Sequence, residues 1–228
     1  MEPLGPKLAE GRDSEIFDHG PGLVLRRSRD GRSLVREAEV MRYAFDSGYP
    51  VPQVHDAGEG YLVMDRVDGP TLLDVALRKP LTLGRQARLL ADLHNRLHAL
   101  PAPPGLPQAG VPGDRFLHRD LHPLNVLVPE TGPVVIDWAN AAAGDPAYDV
   151  ADAWVVFAAA EVPGSRFDRA LAAVGRWLFL RAFLGATDRE TARAAIPAAV
   201  ESRLHDRNMS EREKERMRRL ARKAGAPS

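Results

Sequence analysis

The feature that most constrains the fold is a change in hydrophobic spacing at Asp68-Gly69-Pro70. Before this turn, four short runs with β-strand character are separated by glycine- and proline-rich turns, namely residues 15–17, 23–27, 54–57 and 61–67. After it, apolar residues recur mainly at helical spacing. The chain is therefore predicted to combine a strand-rich first part with a mainly helical second part.

One helix is predicted inside the strand-rich part. It begins at Ser33, which can cap its first turn, and continues to about Ser47, before the extended Tyr49–Pro52 segment. The predicted buried face of this helix consists of Leu34, Ala38, Met41 and Phe45.

In the second part, a helix of about 18 residues is predicted from Thr82, with leucines at steps of three, four and seven on its buried face. A proline-rich loop at 101–112 follows it. Two short strands are predicted at 125–128 and 134–136, and helix is predicted from Pro146 onward with breaks near Pro163-Gly164 and at Gly185. This order predicts an α+β protein of two lobes, with boundaries at 1–67 and 68–228 and a hinge at Asp65–Pro70.

The charge balance and the absence of cysteine exclude several classes of function. Lys and Arg number 31, as do Asp and Glu, so a net charge of zero gives no support for a nucleic-acid or membrane partner. With no cysteine, disulfides, thiol catalysis and thiolate metal sites are excluded. Because no apolar run is long enough to span a bilayer and no signal peptide is recognisable, we expect a cytoplasmic protein. Its oligomeric state is open.

The strongest chemical signal is the octapeptide His118-Arg119-Asp120-Leu121-His122-Pro123-Leu124-Asn125. It matches the kinase catalytic-loop pattern H-R-D-L-x-x-x-N at every fixed position. Twelve residues later, the apolar run Val134-Val135-Ile136 ends in Asp137, where a metal-binding carboxylate is expected.

Phosphoryl transfer explains why these residue types are needed. Asp120 would accept the hydrogen bond of a substrate hydroxyl and take its proton, while Asn125 and Asp137 would supply hard oxygen ligands to Mg²⁺. The alternative is that Asp120 and Asn125 are turn residues and Asp137 caps a strand. Taken singly, each of these residues is better explained as a turn or cap residue. Taken together, the three residues at these spacings favour a catalytic site.

Three segments resemble the aminoglycoside phosphotransferase and choline-kinase-like superfamily. They are Phe116–Val128, Ile136-Asp137-Trp138, and Gly144-Asp145-Pro146-Ala147-Tyr148-Asp149-Val150-Ala151. They are similar to the family's catalytic loop, its I-D-W metal motif and its G-D-P-x-x-D-L-A segment. Arg119 departs from the glycine usual at that position, and the A-P-E segment of protein kinases is absent.

The resemblance implies a protein-kinase-like fold, with a small antiparallel-sheet N-terminal lobe for the nucleotide and a helical C-terminal lobe for the acceptor. It implies ATP, or GTP, with Mg²⁺, and a small-molecule hydroxyl acceptor. Asp120 would be the catalytic base, Asn125 and Asp137 the metal ligands, His118 a structural residue and Asp149 a brace for the loop. Antibiotic resistance is the best-known role of the family.

The strand at 23–27 contains no lysine where kinases use one to hold the nucleotide phosphates. Arg26 is the best candidate, since alternation would put Leu23 and Leu25 in the core and Val24 with Arg26 toward the nucleotide. A register shift would bring Arg27 there instead. Helical geometry favours Glu37 over Glu39 as the carboxylate that orients the arginine.

The remaining nucleotide contacts are predicted from the resemblance. Gly11-Arg12-Asp13-Ser14 resembles a phosphate-positioning loop, in which the hydroxyl of Ser14 would contact the nucleotide. Met64 would line an adenine pocket, and the backbone from Asp65 to Val67 would recognise the base.

The acceptor side is predicted less sharply. The acids near the catalytic loop are Asp145, Asp149, Asp152 and Glu161, and the nearby aromatic residues are Trp138, Tyr148, Trp154 and Phe157. Most of the acids are better explained as helix caps and solvated helix faces, and core packing is the commoner role of such aromatic residues. Residues 208–228 are predicted to be a basic terminal helix opening at Ser210. The alternatives left open are an inactive nucleotide-binding module, which Arg26 favours, and a protein or macrolide kinase.

Overall fold

A computed structural model of the protein describes residues 4–11, 13–161, 165–206 and 209–225. Some predicted features lie outside these residues, namely Arg12 of the predicted phosphate loop, the predicted break at Pro163-Gly164, and residues 208 and 226–228 of the predicted basic helix. The described chain forms two compact units. The first contains the residues up to Pro70 together with Val126–Ala139, and the second contains Thr71–Asn125 and the residues from Asn140 onward.

The first unit is built on a five-stranded antiparallel sheet. Its strands are β1 (Lys7–Glu10), β2 (Ser14–Asp18), β3 (Leu23–Ser28), β4 (Val54–Gly58) and β5 (Tyr61–Asp65), in the order β1-β2-β3-β5-β4. Helix α1 (Val35–Asp46) lies between β3 and β4 in the chain. The four predicted strands and the single helix are therefore confirmed, but the predicted cap is wrong: Leu34, not Ser33, is the N-cap residue of α1, and no side chain among the described residues caps the first turn of this helix.

Strand β3 buries the opposite face from the one predicted. Val24, Arg26 and Ser28 are buried, whereas Leu23 and Leu25 are only half-buried. Both faces of the strand begin with apolar residues, so alternation alone does not show which face is covered. Arg26 can be buried because Glu37 of α1 pairs with it.

The buried face of α1 also differs at its end. Leu34, Ala38 and Met41 are buried as predicted, but Phe45 is 41% exposed and Ala44 is fully buried. Ala44 follows Val40 by four residues and Met41 by three, so it continues the buried stripe at helical spacing, and Phe45, the next residue, lies at its exposed edge.

A two-stranded ribbon from later in the chain belongs to the first unit. It consists of β6 (Val126–Leu127) and β7 (Val134–Val135), which pair antiparallel. The Val128 amide donates to the Pro70 carbonyl (2.8 Å) and the Val135 amide to the Pro50 carbonyl (2.8 Å). The sequence places the boundary at 67/68 and so assigns this segment to the helical part, because no local pattern in the sequence indicates hydrogen bonds between residues so far apart in the chain.

The second unit is mainly helical. Its helices are α2 (Leu72–Arg78), α3 (Leu83–His98), α4 (Pro146–Ala159), α5 (Arg166–Leu184), α6 (Arg189–Leu204) and α7 (Glu211–Ala224). Strands β8 (Arg115–Leu117) and β9 (Ala142–Gly144) form a small antiparallel ribbon in this unit. Asp145 caps α4 and Ser210 caps α7, as the sequence predicts.

The core of the second unit lies where α4, α6 and α7 pack together. It consists mainly of alanine and aliphatic side chains, among them Ala151, Val155, Ile196, Ala199 and Met217. Taken singly, none of the described helices is long and apolar enough to cross a membrane. Residues 168–184 of α5 and helix α6 reach that length and apolarity only together, and a bend of 117° separates them.

Candidate active site

The predicted catalytic loop, His118–Asn125, directly follows strand β8 and is held by Asp149 of α4. One carboxylate oxygen of Asp149 accepts the His118 amide (3.0 Å) and the other accepts the Arg119 amide (2.6 Å). His98 Nε2 lies 3.0 Å from the same carboxylate. Burial by itself would raise the pKa of Asp149, but the hydrogen bond and charge of His98 outweigh it and hold this pKa well below its usual range. The bracing role that the resemblance implies for Asp149 is thus present.

Arg119 adopts a backbone conformation that favours glycine. Its φ is 63°, in the left-handed region, which costs a residue with a side chain roughly 1–2 kcal/mol. The guanidinium offsets part of this strain by donating to Ser202 Oγ (3.0 Å) and lying over the Tyr148 ring, 5.4 Å from its centroid. The family's usual glycine and this arginine therefore fit the same turn for different reasons.

Asp120, the predicted catalytic base, is held by a side chain that the sequence did not reveal. Arg203 of α6 donates through Nη2 to Asp120 Oδ1 at 2.8 Å. His122 Nε2 lies 3.6 Å from the same oxygen. Burial would raise the pKa of Asp120, but Arg203 and His122 outweigh it and keep this pKa below its ordinary value. The carboxylate is therefore ionised and oriented.

Asn125, a predicted metal ligand, bonds back to the loop through its amide nitrogen. Its Nδ2 donates to the Asp120 carbonyl (2.9 Å) and lies 3.3 Å from Asp120 Oδ2. The backbone amide of Asn125 donates to the His122 carbonyl (2.9 Å), which closes the turn. With the nitrogen used in this way, the amide oxygen is the atom left for a metal ion.

In the first unit, Arg26 connects three of the residues predicted from the sequence. It pairs through Nη1 with Glu37, donates through Nε to Ser14 Oγ (3.1 Å) and lies 3.4 Å through Nη2 from Asp137 Oδ1. The predicted pairing of Arg26 with Glu37 is confirmed. Burial raises the pKa of Glu37, and Arg26 opposes this shift.

Asp137, the other predicted metal ligand, lies just beyond β7 in a left-handed conformation with φ of 66°. Its side chain is 46% exposed. Aspartate tolerates this conformation better than most residues. Among the described residues, no group of three or more His, Cys, Asp and Glu side chains is arranged to hold a metal ion. A carboxylate such as that of Asp137 is a hard oxygen ligand of the kind that Mg²⁺ takes, and this ion needs few protein ligands because water and phosphate oxygens complete its shell.

The residues predicted to surround adenine lie on neighbouring strands and just after them. Val24 of β3 is paired in register with Met64 of β5. The Asp65 amide donates to the Gln53 carbonyl (3.0 Å) and the Arg66 amide to the Gly22 carbonyl (2.8 Å). Across the described part of the chain, no acceptor is found for the amide of Val67. That amide is therefore available to a ligand.

The four acids considered for a cationic acceptor are mostly engaged elsewhere. Asp145 caps α4, Asp149 braces the loop and Asp152 pairs with Arg203, which leaves Glu161 as the exposed carboxylate of the set. Two of the four aromatic residues pack with other rings, since Trp138 is edge-on to Tyr49 (5.6 Å) and Phe157 stacks on Phe179 (4.9 Å), while Tyr148 and Trp154 pack in or against the core of the second unit.

Two polar residues of this site had no signal in the sequence. Arg203 lies 83 positions from Asp120, and His98 lies 51 positions from Asp149. His98 stands on the mostly apolar face of a helix, and Arg203 is one of many arginines in a helical segment. Neither position belongs to a motif.

The comparisons with known proteins agree on one family. The family model described as "Phosphotransferase enzyme family" matches residues 7–116 and 111–186. The streptomycin 6-kinase of Streptomyces griseus is 31% identical over 134 aligned residues, which cover 42% of this chain and 42% of that protein. The matched region thus spans less than half of that relative's length.

Solved structures of the same kind share the fold. The gentamicin complex of APH(2'')-IIa aligns over 98% of this chain and 89% of its own, with a TM-score of 0.64 and 14% identity. The ethanolamine kinase of Plasmodium vivax aligns over 98% of this chain and 82% of its own, with a TM-score of 0.61 and 14% identity. At such identities the likeness establishes the fold, and the predicted kinase-like α+β fold is confirmed.

Proposed function

Because the chain belongs to the phosphotransferase enzyme family, we propose that it is an ATP-dependent kinase that phosphorylates a hydroxyl group of a small molecule. The observation that carries this proposal is the state of Asp120, which is ionised, mostly buried and oriented by Arg203 within a braced loop. A carboxylate that served only as a turn residue would not need a buried cation to orient it.

The reaction follows from the groups in the loop. The acceptor hydroxyl donates a hydrogen bond to Asp120, and its oxygen forms a bond to the γ-phosphorus as the bond from that phosphorus to the β–γ bridging oxygen breaks. The proton passes to Asp120 and then to water, and ADP leaves with the electron pair of the broken bond. The acceptor must be held in line for this exchange, which positioning by the loop can provide.

The nucleotide side uses the residues gathered around Arg26. Its guanidinium would bind phosphate oxygens, with Glu37 orienting it and the Ser14 hydroxyl beside it. Val24 and Met64 would contact adenine, and the backbone of Asp65–Val67, in which the Val67 amide is available, would recognise its edge. Asn125 and Asp137 would hold Mg²⁺, which neutralises charge on the transferring phosphoryl group.

The acceptor class follows from the relatives and from the charges of the second unit. The similarity to a streptomycin kinase makes aminoglycosides the first acceptors to test, followed by sugars, amino alcohols and macrolides. Three of the four acids near the loop are already engaged, so a strongly cationic acceptor would rely on other carboxylates. This favours a hydroxyl-rich acceptor of moderate positive charge, and a role in antibiotic resistance is part of the same proposal.

The experiment uses the full chain in the presence of each acceptor and measures ADP formation with Mg–ATP and, separately, GDP formation with Mg–GTP. Asp120→Asn is expected to lower kcat by about 100-fold or more, since positioned general bases contribute about 10²–10⁴-fold. The matched control is Asp114→Asn, because Asp114 is a nearby carboxylate that is 92% exposed.

The outcomes separate the candidate functions. Mg²⁺-dependent product formation that is lost in Asp120→Asn and kept in Asp114→Asn supports the kinase. If the protein binds nucleotide but forms no product with any acceptor, the result would support the alternative of an inactive nucleotide-binding module, which the arginine at position 26 in place of lysine favours. Equal rates in the wild type and Asp120→Asn would remove the catalytic assignment.

A further inference from the structure

Helix α6 lies beyond the residues that the family model matches, yet it reaches the proposed catalytic loop. The match ends at residue 186, and α6 spans Arg189–Leu204. Near the end of this helix, the Arg203 side chain is only 12% exposed and contacts Asp120. A part of the chain outside the family match therefore contributes directly to the site.

Arg203 is surrounded by acceptors on several sides. Nη2 donates to Asp120 Oδ1 (2.8 Å) and to the Arg119 carbonyl (2.9 Å), and Nε donates to Asp152 Oδ1 (2.7 Å). Nη1 lies 3.8 Å from Asp206 Oδ2. Burial lowers the pKa of Arg203, but Asp152 and Asp120 outweigh it and raise this pKa above its ordinary value. The guanidinium is therefore a permanent cation in a fixed orientation.

Asp152 is what fixes that orientation. It is 3% exposed and lies on α4, three residues after the loop brace Asp149. Its carboxylate accepts hydrogen bonds from both Nε and Nη2 of Arg203. This bidentate geometry fixes the plane of a guanidinium relative to a carboxylate. Since α4 and α6 also pack through the apolar core around Val155 and Ala199, this ion pair is not needed to join the two helices.

The two oxygens of Asp120 are consequently not equivalent. Oδ1 is bound by the charged Arg203 at 2.8 Å, while Oδ2 has the neutral Asn125 amide nitrogen at 3.3 Å. A charge-assisted bond is shorter and stronger than a neutral one, so Oδ1 is the anchored atom. Oδ2 is the atom with capacity left for an incoming hydroxyl.

We propose that Arg203, held by Asp152, is a positioning residue that anchors Asp120 Oδ1 so that Oδ2 faces the acceptor hydroxyl. This inference rests on the proposed kinase function. It assigns helix α6 a part in the reaction, although Arg203 itself contacts neither the acceptor nor the nucleotide.

The test compares Arg203→Met, Arg203→Lys and Asp152→Asn with the control Arg189→Met, whose arginine is exposed at the other end of α6. We expect Arg203→Met to lower kcat by about 10- to 100-fold, because small misplacements of reacting groups cost up to about 100-fold. Arg203→Lys restores part of the rate, and Asp152→Asn falls in between. The dissociation constant of Mg–ATP changes less than about twofold in each.

A double-mutant cycle separates positioning from a general structural role. If Arg203 acts through Asp120, the variant Asp120→Asn/Arg203→Met is no slower than Asp120→Asn alone. The inference would be overturned if the fold-losses of kcat in the two single variants multiply in the double variant. It would also be overturned if folded Arg203→Met has a kcat within twofold of the wild type. Should Arg203→Met fail to fold, the same cycle is measured with Arg203→Lys.

Failure of the proposed kinase function can be distinguished from failure of the Arg203 anchor. If the kinase function is wrong, the wild type forms no phosphorylated product with any acceptor. In that case, crystal structures of the wild type and Arg203→Met still test the anchor: a changed Asp120 side-chain rotamer in Arg203→Met supports it, and an identical rotamer in both proteins overturns it.

Discussion

Arg26 makes each of its three polar contacts through a different nitrogen atom. Nε contacts Ser14, Nη1 contacts Glu37 and Nη2 contacts Asp137. A lysine has one nitrogen at the end of its side chain and cannot reproduce this planar set of donors. The arginine therefore preserves the positive charge that kinases place at this strand, with a geometry of its own.

Replacing this arginine tests the nucleotide assignment. Arg26→Met is expected to weaken Mg–ATP binding by about 10- to 100-fold, because bonds to charged groups contribute about 1.5–3 kcal/mol. Arg27 would have taken this place if the register had shifted by one residue. It instead pairs with Glu15, its side chain is 43% exposed, and Arg27→Met is the matched control.

Binding is measured by titration calorimetry. Since Arg26→Met leaves Glu37 buried without its cation, the double variant Arg26→Met/Glu37→Gln is measured in parallel. Equal affinities in the variants of Arg26 and Arg27 would contradict the assignment.

At the scale of elements, the sequence predicted what local signals determine. The caps at Asp145 and Ser210 and the spacing of leucines in α3 are local, and each produced the expected helix. Strand β1 was not predicted, because its four residues are all exposed and show no alternation. Helix α2 is only seven residues long and was also not predicted.

In the candidate site, too, local sequence signals predicted some residues, whereas others are brought together only by the fold. The partner of Arg26 was predictable because helical angles favour Glu37 over Glu39, whereas strand alternation placed Arg26 on one face with Val24 without showing that this face is the buried one. Arg203 was not predictable because its partner lies 83 residues away and the fold alone brings them together. Pairings of distant segments, such as β8 with β9, are hidden for the same reason.

Helix α7 provides a test of how a charged terminal helix is held. Its only fully buried residue among those described is Met217, which packs in the core formed with α4 and α6. Arg218, Arg219 and Arg222 pair instead with Glu215 on the exposed side. The basic character of the helix therefore coexists with a packed apolar edge.

Met217→Ala is expected to lower the free energy of unfolding by about 2–4 kcal/mol, through lost burial and the cavity left behind. Arg219→Ala, with a side chain that is 70% exposed, should change it by less than about 0.5 kcal/mol. Urea denaturation of both variants measures the difference. A small effect of Met217→Ala would mean that α7 is not docked on the core.

At the scale of the whole molecule, the formal net charge is zero near neutral pH. Acidification therefore gives the protein a net positive charge. Histidine is the side chain that titrates first on this path. His94 is fully buried in α3, where its Nδ1 contacts the Leu90 carbonyl (2.9 Å) and its ring meets Phe183 edge-on. Burial lowers the pKa of His94 to about 4.

This shift predicts a specific loss of stability in acid. The unfolded chain takes up the proton near pH 6.5, whereas the folded protein resists it until about pH 4, so stability is complete above pH 6.5 and decreases between these values. The full shift corresponds to roughly 3 kcal/mol.

His94→Leu removes this proton linkage and should flatten the pH dependence of the unfolding free energy over that range. His205→Gln, a change at an exposed histidine, should leave it unchanged. Urea unfolding at a series of pH values measures both, and equal slopes for His94→Leu and the wild type would show that His94 is not protected from protonation.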